Sequence, residues 1–196
     1  MGMIGITGSI GAGKSLVGRI LRDRHFRVID ADVAVHHLYR DNVSLRSAIA
    51  KEFGEDMLTA SGISRSRMAD LVFSDSSARL RLEKLVYPAL TEYLLRENPE
   101  FVEAALLENV PELVERLDEI WVVTAPVEIR LERLVKNRSF SEKDARRRIE
   151  LQRVKDAEEG WVKLFPGKTL RFIDNSFDET SLRNEIEALL KEDRSF

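Results

Sequence analysis

Met3-Ile4-Gly5-Ile6-Thr7-Gly8-Ser9-Ile10-Gly11-Ala12-Gly13-Lys14-Ser15 is the stretch whose reading decides the fold. Met3–Thr7 is a short apolar run, long enough for one buried strand. It passes into a loop with glycine at positions 8, 11 and 13, and Lys14 to Arg24 then places Leu16, Val17, Ile20 and Leu21 at helical spacing. Strand, glycine loop and helix together turn backbone N–H groups inward as a nest for anionic oxygens. The glycines admit conformations that a side chain would block. The helix start adds the positive end of its dipole. Lys14 then reaches the β and γ phosphates of a bound nucleotide, and the Ser15 hydroxyl is placed to ligate Mg²⁺. Gly8, Gly11, Ala12, Gly13, Lys14, Ser15 and Leu16 are therefore the predicted ATP-binding segment. A dinucleotide-binding turn needs a further glycine where Leu16 stands and gives Lys14 no role, so a nucleoside triphosphate is the expected ligand.

Outward from the loop, apolar runs alternate with helical periodicity. Phe26–Ile29 predicts a second strand, ended by Asp30-Ala31-Asp32. A long helical stretch is expected from about Val33 to Asn98, with Pro88 placed to start a new helix at its first turn. Phe101–Leu106, Ile120–Val123 and Leu170–Ile173 are further strand candidates. Pro126 to Lys136 and Thr180 to Lys191 are helical, and Ser141 with Asp144 three residues on approximates a capping box. Strands alternating with helices imply an α/β fold with a three-layer, doubly wound parallel sheet, which binds ligands beyond the carboxyl ends of its strands.

Asp30 and Asp32 flank Ala31 at such an end. Residues two apart in a strand share a face, so one or both carboxylates are expected to face the phosphate loop. One role is to orient an attacking hydroxyl and take its proton, or to hold a metal's water shell; the other is to cap the following helix. Spacing leaves the assignment between the two open. Lys136, Arg138, Lys143, Arg146, Arg147, Arg148, Arg153 and Lys155 form a basic segment interleaved with acids. Most of it reads as a solvated helix with i,i+4 ion pairs. The sharper reading is a lid whose arginines, Arg138 first, close over the triphosphate. Arg148 and Gln152 lie four apart on one helical face.

Composition narrows the class. At 196 residues, with 43% hydrophobic and 33% charged residues, the chain is ordinary for one globular domain. Nothing approaches the length of a membrane span, and Met3–Thr7 does not read as a signal peptide. No cysteine is present, which fits a cytoplasmic protein and excludes thiolate metal sites. The net charge of −3 disfavours nucleic acid as a partner, and no membrane or protein partner is implied. A guanine-reading Asn-Lys-x-Asp is absent, which argues against a GTPase switch. Another small-molecule kinase, acting on a nucleoside, nucleotide or shikimate-like acceptor, would use the same loop and lid.

Assembled, these segments resemble the dephospho-coenzyme A kinase family along almost the whole chain. The resemblance runs through the loop, Val28-Ile29-Asp30-Ala31-Asp32, Phe53-Gly54, Leu71-Val72-Phe73, Tyr87-Pro88, Leu106-Leu107 and Ile120-Trp121-Val122-Val123. It continues with Arg133-Leu134, Arg138, Ser141-Glu142, Ala145, Arg148, Gln152 and Ile173-Asp174-Asn175-Ser176. It implies transfer of the ATP γ-phosphoryl group to the ribose 3′-hydroxyl of dephospho-CoA, the last step of coenzyme A synthesis. It also implies a P-loop kinase domain over 1–196: a core of about 1–32, 100–135 and 160–196, a helical acceptor-binding insertion of about 33–99, and a lid of about 136–159. Asp32, Lys14 and Arg138 become the catalytic residues. Arg138 and Arg148 serve the phosphates, Asn175 lies near the adenine, Asp32, Arg65 and Tyr87 meet the acceptor, and Ser15 with Asp32 serves the metal. ATP and Mg²⁺ are the implied cofactors. The chain departs from the family at Leu16, where Thr is usual, at Tyr87, where His precedes the proline, and at Glu103-Ala104-Ala105, where Asp-x-Pro is usual.

Overall fold

A computed structural model describes residues 2–138, 140–152 and 157–192, with the side chain of Arg138 outside the description. The chain forms two compact units, one of residues 1–28 and 99–196 and the other of residues 29–98.

The first unit is built on the predicted strands, of which the second, observed over Val28–Asp30, belongs to it only at Val28. β1 (Ile4–Gly8) leads through the glycine loop into α1 (Lys14–Asp23). β2 (Val28–Asp30), β5 (Phe101–Glu103), β6 (Glu119–Thr124) and β7 (Thr169–Asp174) join it in a five-stranded sheet of order β2-β5-β1-β6-β7. The β1–β5, β1–β6 and β6–β7 pairs are all parallel. β1 is central and buried throughout, as a strand covered on both faces is. On one face Ile4, Ile6, Trp121, Val123 and Ile173 pack with Val17, Ile20 and Leu21 of α1 and with Leu182, Ile186 and Leu190 of α10 (Glu179–Glu192). On the other face Gly5 leaves room for Leu107 and Leu117, on either side of α6 (Pro111–Arg116); a Cβ at Gly5 would lie 2.6 Å from Leu117 Cδ1. α7 (Val127–Arg138), α8 (Glu142–Glu150) and α9 (Glu158–Leu164) complete the unit. The Ser141 cap is present: its Oγ accepts from Asp144 N at 3.1 Å and donates to Asp144 Oδ2 at 2.6 Å. β5 is shorter than the expected Phe101–Leu106. Ala104 N makes its last ladder bond to Ile6 O at 2.9 Å, and the chain then turns to bury Leu107.

The second unit corrects the expectation of one long helical stretch. α2 (Ala31–Asp41) and α3 (Val43–Phe53) are separated by Asn42, whose side chain accepts from Leu45 N and starts the second helix. Gly54, at φ 107°, ends α3. A small hairpin, β3 (Leu58–Thr59) and β4 (Gly62–Ile63), follows. Gly62 is required there, because at φ 122° a Cβ would lie 2.4 Å from the Tyr39 carbonyl oxygen. α4 (Arg65–Ser74) and α5 (Ser76–Glu97) finish the unit, and Asp75 caps α5 by accepting from Ser77 N. Pro88 does not begin a helix; it lies inside α5. It removes one N–H from the ladder, but the buried positions Ala78, Leu82, Val86, Leu90 and Leu94 recur every four residues across it. The packing of that uninterrupted face holds the helix through the break. Among the described residues no helix is long and apolar enough to cross a membrane.

Candidate active site

The phosphate loop has the backbone that its glycines require. Gly8, Gly11 and Gly13 all have positive φ, at 154°, 78° and 101°. Added side chains would collide with fixed atoms: a Cβ at Gly8 would sit 2.3 Å from Val123 O, and one at Gly11 2.9 Å from Arg130 O. Gly13 is the N-cap of α1 and carries no side-chain cap bond, so the helix's first N–H groups are left to the loop's own geometry. Lys14 Nζ donates to Gly8 O at 2.8 Å and Ser9 O at 3.4 Å, folding the ammonium over the loop. A cleft of about 170 Å³ opens here, lined by Gly11, Gly13, Lys14, Ser15, Arg133 and Asn137 among others. Two cations and the loop N–H groups on one small cleft suit a polyphosphate.

Three residues reach the loop through contacts that were not assigned from the sequence. Ser15 Oγ donates to Glu103 Oε1 at 2.6 Å, and Glu103 is only 5% exposed at the carboxyl end of β5. An acid ending a strand beside β1 is the signal that would have found it, because ligands bind beyond those strand ends. Arg133, on α7, donates to Ala12 O at 3.3 Å and to Asn175 O at 2.9 Å. Gln152, just after α8, accepts from Ile10 N through Oε1 at 2.7 Å. Both pairings join the loop backbone to side chains more than a hundred residues away, and no local spacing encodes them.

Asn175 follows β7 and is 2% exposed. Its Nδ2 donates to Ala12 O at 2.7 Å, which brings it against the loop. Leu16 is half-buried and packs on the core of the first unit. Arg148 is exposed, with its guanidinium over the Phe140 ring at 4.6 Å from the centroid. Arg153 and Lys155 lie outside the described residues, as does the side chain of Arg138.

In the second unit, Asp30 and Asp32 have separate environments. Asp30 Oδ1 accepts from Asp32 N at 2.9 Å and Val33 N at 3.1 Å, so Asp30 is the cap of α2. Asp32 is already in the first helical turn and exposed. The expectation that the pair shares a strand face is therefore corrected: strand alternation stops at Asp30, because capping starts the helix at Ala31. Arg65 is the exposed first residue of α4, and Tyr87 is half-buried on α5. Among the described residues no group of three or more His, Cys, Asp or Glu forms a metal cage.

Residues 2–163 match the family described as dephospho-CoA kinase. A dephospho-CoA kinase of Symbiobacterium thermophilum is 32% identical over 197 residues, covering 96% of this chain and 80% of that one. Among solved structures, a Thermus thermophilus protein superposes with a TM-score of 0.70 at 27% identity, covering 97% of this chain and 96% of that one. A dephospho-CoA kinase from Campylobacter jejuni shares the fold with a TM-score of 0.68 at 23% identity, over 97% of this chain and 96% of that one.

Proposed function

The chain belongs to the dephospho-CoA kinase family, and we propose that it transfers the γ-phosphoryl group of ATP to the 3′-hydroxyl of dephospho-CoA using Lys14, Ser15 and Asp32. It is a phosphotransferase of coenzyme A synthesis, with ATP and dephospho-CoA as its substrates. The observation that carries the residue assignment is the loop itself: positive-φ glycines, a folded-over Lys14 and a Ser15 hydroxyl beside a buried carboxylate.

In the transfer, the bond between the γ-phosphorus and the β–γ bridging oxygen breaks. A bond forms from the acceptor oxygen to that phosphorus, and ADP leaves. Lys14 exchanges its loop carbonyls for phosphate oxygens and balances the charge of the transferring group. Asp32 orients the acceptor hydroxyl and takes its proton. The capping bonds of Asp30 favour Asp32 for this role, since Asp30 Oδ1 is already committed to two backbone N–H groups. Ser15 and Glu103 offer hard oxygens of the kind Mg²⁺ takes when one or two protein groups supplement substrate phosphates. When bound, the ion neutralises phosphate charge. Arg138 and Arg148 serve the phosphates from a lid over about 136–159, and the helical unit, with Arg65 and Tyr87, receives the acceptor. A cytoplasmic location fits a chain without cysteine.

Purified protein with Mg-ATP, offered dephospho-CoA, adenosine, AMP, CMP and shikimate separately, tests the reading through ADP release and product mass. Coenzyme A formed only from dephospho-CoA is the expected result. Turnover of another acceptor in its place overturns the acceptor assignment while keeping the kinase.

A further inference from the structure

Asn175 and Gln152 reach the phosphate loop from outside it, and each holds one end of a peptide unit. A peptide is planar and trans, so its C=O and N–H point to opposite sides. Asn175 Nδ2 holds Ala12 O at 2.7 Å, and Arg133 Nη1 supports the same oxygen at 3.3 Å. The other end of that peptide is the N–H of Gly13, which is thereby turned away from Asn175 and toward the nest. The fit is close: a Cβ on Gly13 would lie 2.1 Å from Asn175 Nδ2.

Gln152 acts on the peptide between Ser9 and Ile10. A backbone N–H can only donate, so the atom facing Ile10 N at 2.7 Å is the acceptor Oε1. The opposite end of that peptide is Ser9 C=O, which accepts from Ala12 N at 3.1 Å and Lys14 Nζ at 3.4 Å. One side chain outside the loop thus sets the farther of the two carbonyls that accept from the Lys14 ammonium, the nearer being Gly8 O at 2.8 Å.

We infer that Asn175 and Gln152 are positioning residues, which fix two peptide planes of the phosphate loop so that its N–H groups and Lys14 are aimed before nucleotide arrives. Asn175 acts through Ala12 and Gly13 on phosphate, not through a contact with the adenine ring. Gln152 makes the segment after α8 an anchor of the loop. The inference rests on the loop binding nucleotide phosphates, as proposed above, and deepens it.

Calorimetric titration of ATP, ADP, AMP and GTP into wild type, Asn175→Ala and Gln152→Met tests it without any acceptor. Misdirecting one charge-assisted N–H contact is expected to weaken ATP and ADP about tenfold. AMP, which keeps only the α-phosphate and lacks the β and γ groups that Lys14 reaches, is expected to change less than about twofold on the same scale, and the ratio of ATP to GTP affinity is unchanged. Equal loss across ATP, ADP and AMP, or collapse of the base preference, overturns the inference and makes Asn175 a base-reading residue. No loss in either variant also overturns it. Asn175 is buried, so thermal melting accompanies each titration; if Asn175→Ala fails to fold, the half-buried Gln152→Met carries the test alone. Failure of wild type to turn over dephospho-CoA leaves these affinities measurable, so the two readings fail separately.

Discussion

Ser15 and Glu103 are joined by a 2.6 Å hydrogen bond from the serine hydroxyl to Glu103 Oε1, at the floor of the loop. Arg22 approaches the other carboxylate oxygen at 4.0 Å. Gly18 keeps that space open, since a Cβ there would lie 2.8 Å from Glu103 Oε2. Glu103→Gln keeps the volume and an acceptor for Ser15 but removes the charge. We expect kcat to fall at least about tenfold and the Mg²⁺ concentration for half-maximal rate to rise, as when an outer partner of a metal ligand is lost. Steady-state rates across a Mg²⁺ series check this; an unchanged Mg²⁺ dependence removes Glu103 from the metal's surroundings.

Lys14 Nζ sits on the Gly8 carbonyl at 2.8 Å, holding the charge ready inside the cleft. Lys14→Ala is expected to reduce kcat by at least about a hundredfold, the scale of losing one donor to the transition state. The fold should persist, because Lys14 is half-buried on the cleft and is not part of the apolar core cluster of the first unit. Single-turnover rates with a parallel thermal melt separate the two effects. Full activity in a folded variant is incompatible with the loop's assigned role.

Asp30 and Asp32 should separate cleanly by substitution. Asp30→Asn retains a side-chain oxygen for the N–H groups of Asp32 and Val33 and should leave stability and rate nearly unchanged. Asp30→Ala should cost about 1 kcal/mol of stability through the lost cap. Asp32→Asn should lower kcat by at least about a hundredfold with little change in melting temperature. If Asp30→Asn slows turnover and Asp32→Asn does not, the base and the cap have been exchanged.

Glu185 on α10 supplies a stability test with a pH signature. Burial raises its carboxyl pKa from the ordinary value, although Asp174 N donates to it at 3.0 Å; the negative charge of Asp174 adds to the rise. The folded state therefore holds the Glu185 proton more tightly than the unfolded state does. Its favourable contribution is complete below the usual carboxylate pKa and is lost as pH rises through the raised value. Glu185→Gln keeps an acceptor for Asp174 N without the charge. Its melting temperature should exceed that of wild type at about pH 7–8, and the difference should shrink as pH falls toward about 4. A gap independent of pH would count against the burial argument.

Local sequence carried the phosphate loop and its sheet. Glycines at 8, 11 and 13 between an apolar run and an amphipathic helix demand the backbone that is found, because no other residue tolerates those φ values beside Val123 and Arg130. The cap at Ser141 was legible for the same reason, since its partner is three residues away. The breaks between residues 33 and 98 were less so. Helical periodicity continues across Asn42 and Asp75, and only the side-chain caps mark where one helix ends and the next begins. Pro88 misled in the other direction, since a local helix-breaker is outweighed by a buried face spanning the whole of α5.

Long-range pairing lay beyond any local signal. Sequence alone named Lys14 and Ser15, narrowed the base to Asp30 or Asp32, and assigned Asn175 to the adenine through the family resemblance alone. Tertiary structure put Glu103 against Ser15, and Asn175, Arg133 and Gln152 against the loop's backbone. The physical reason is the nature of the two kinds of bond. A glycine's freedom or a cap is a property of a few consecutive residues, whereas a side chain that holds a distant carbonyl or N–H is placed only when the strands and helices between them have packed.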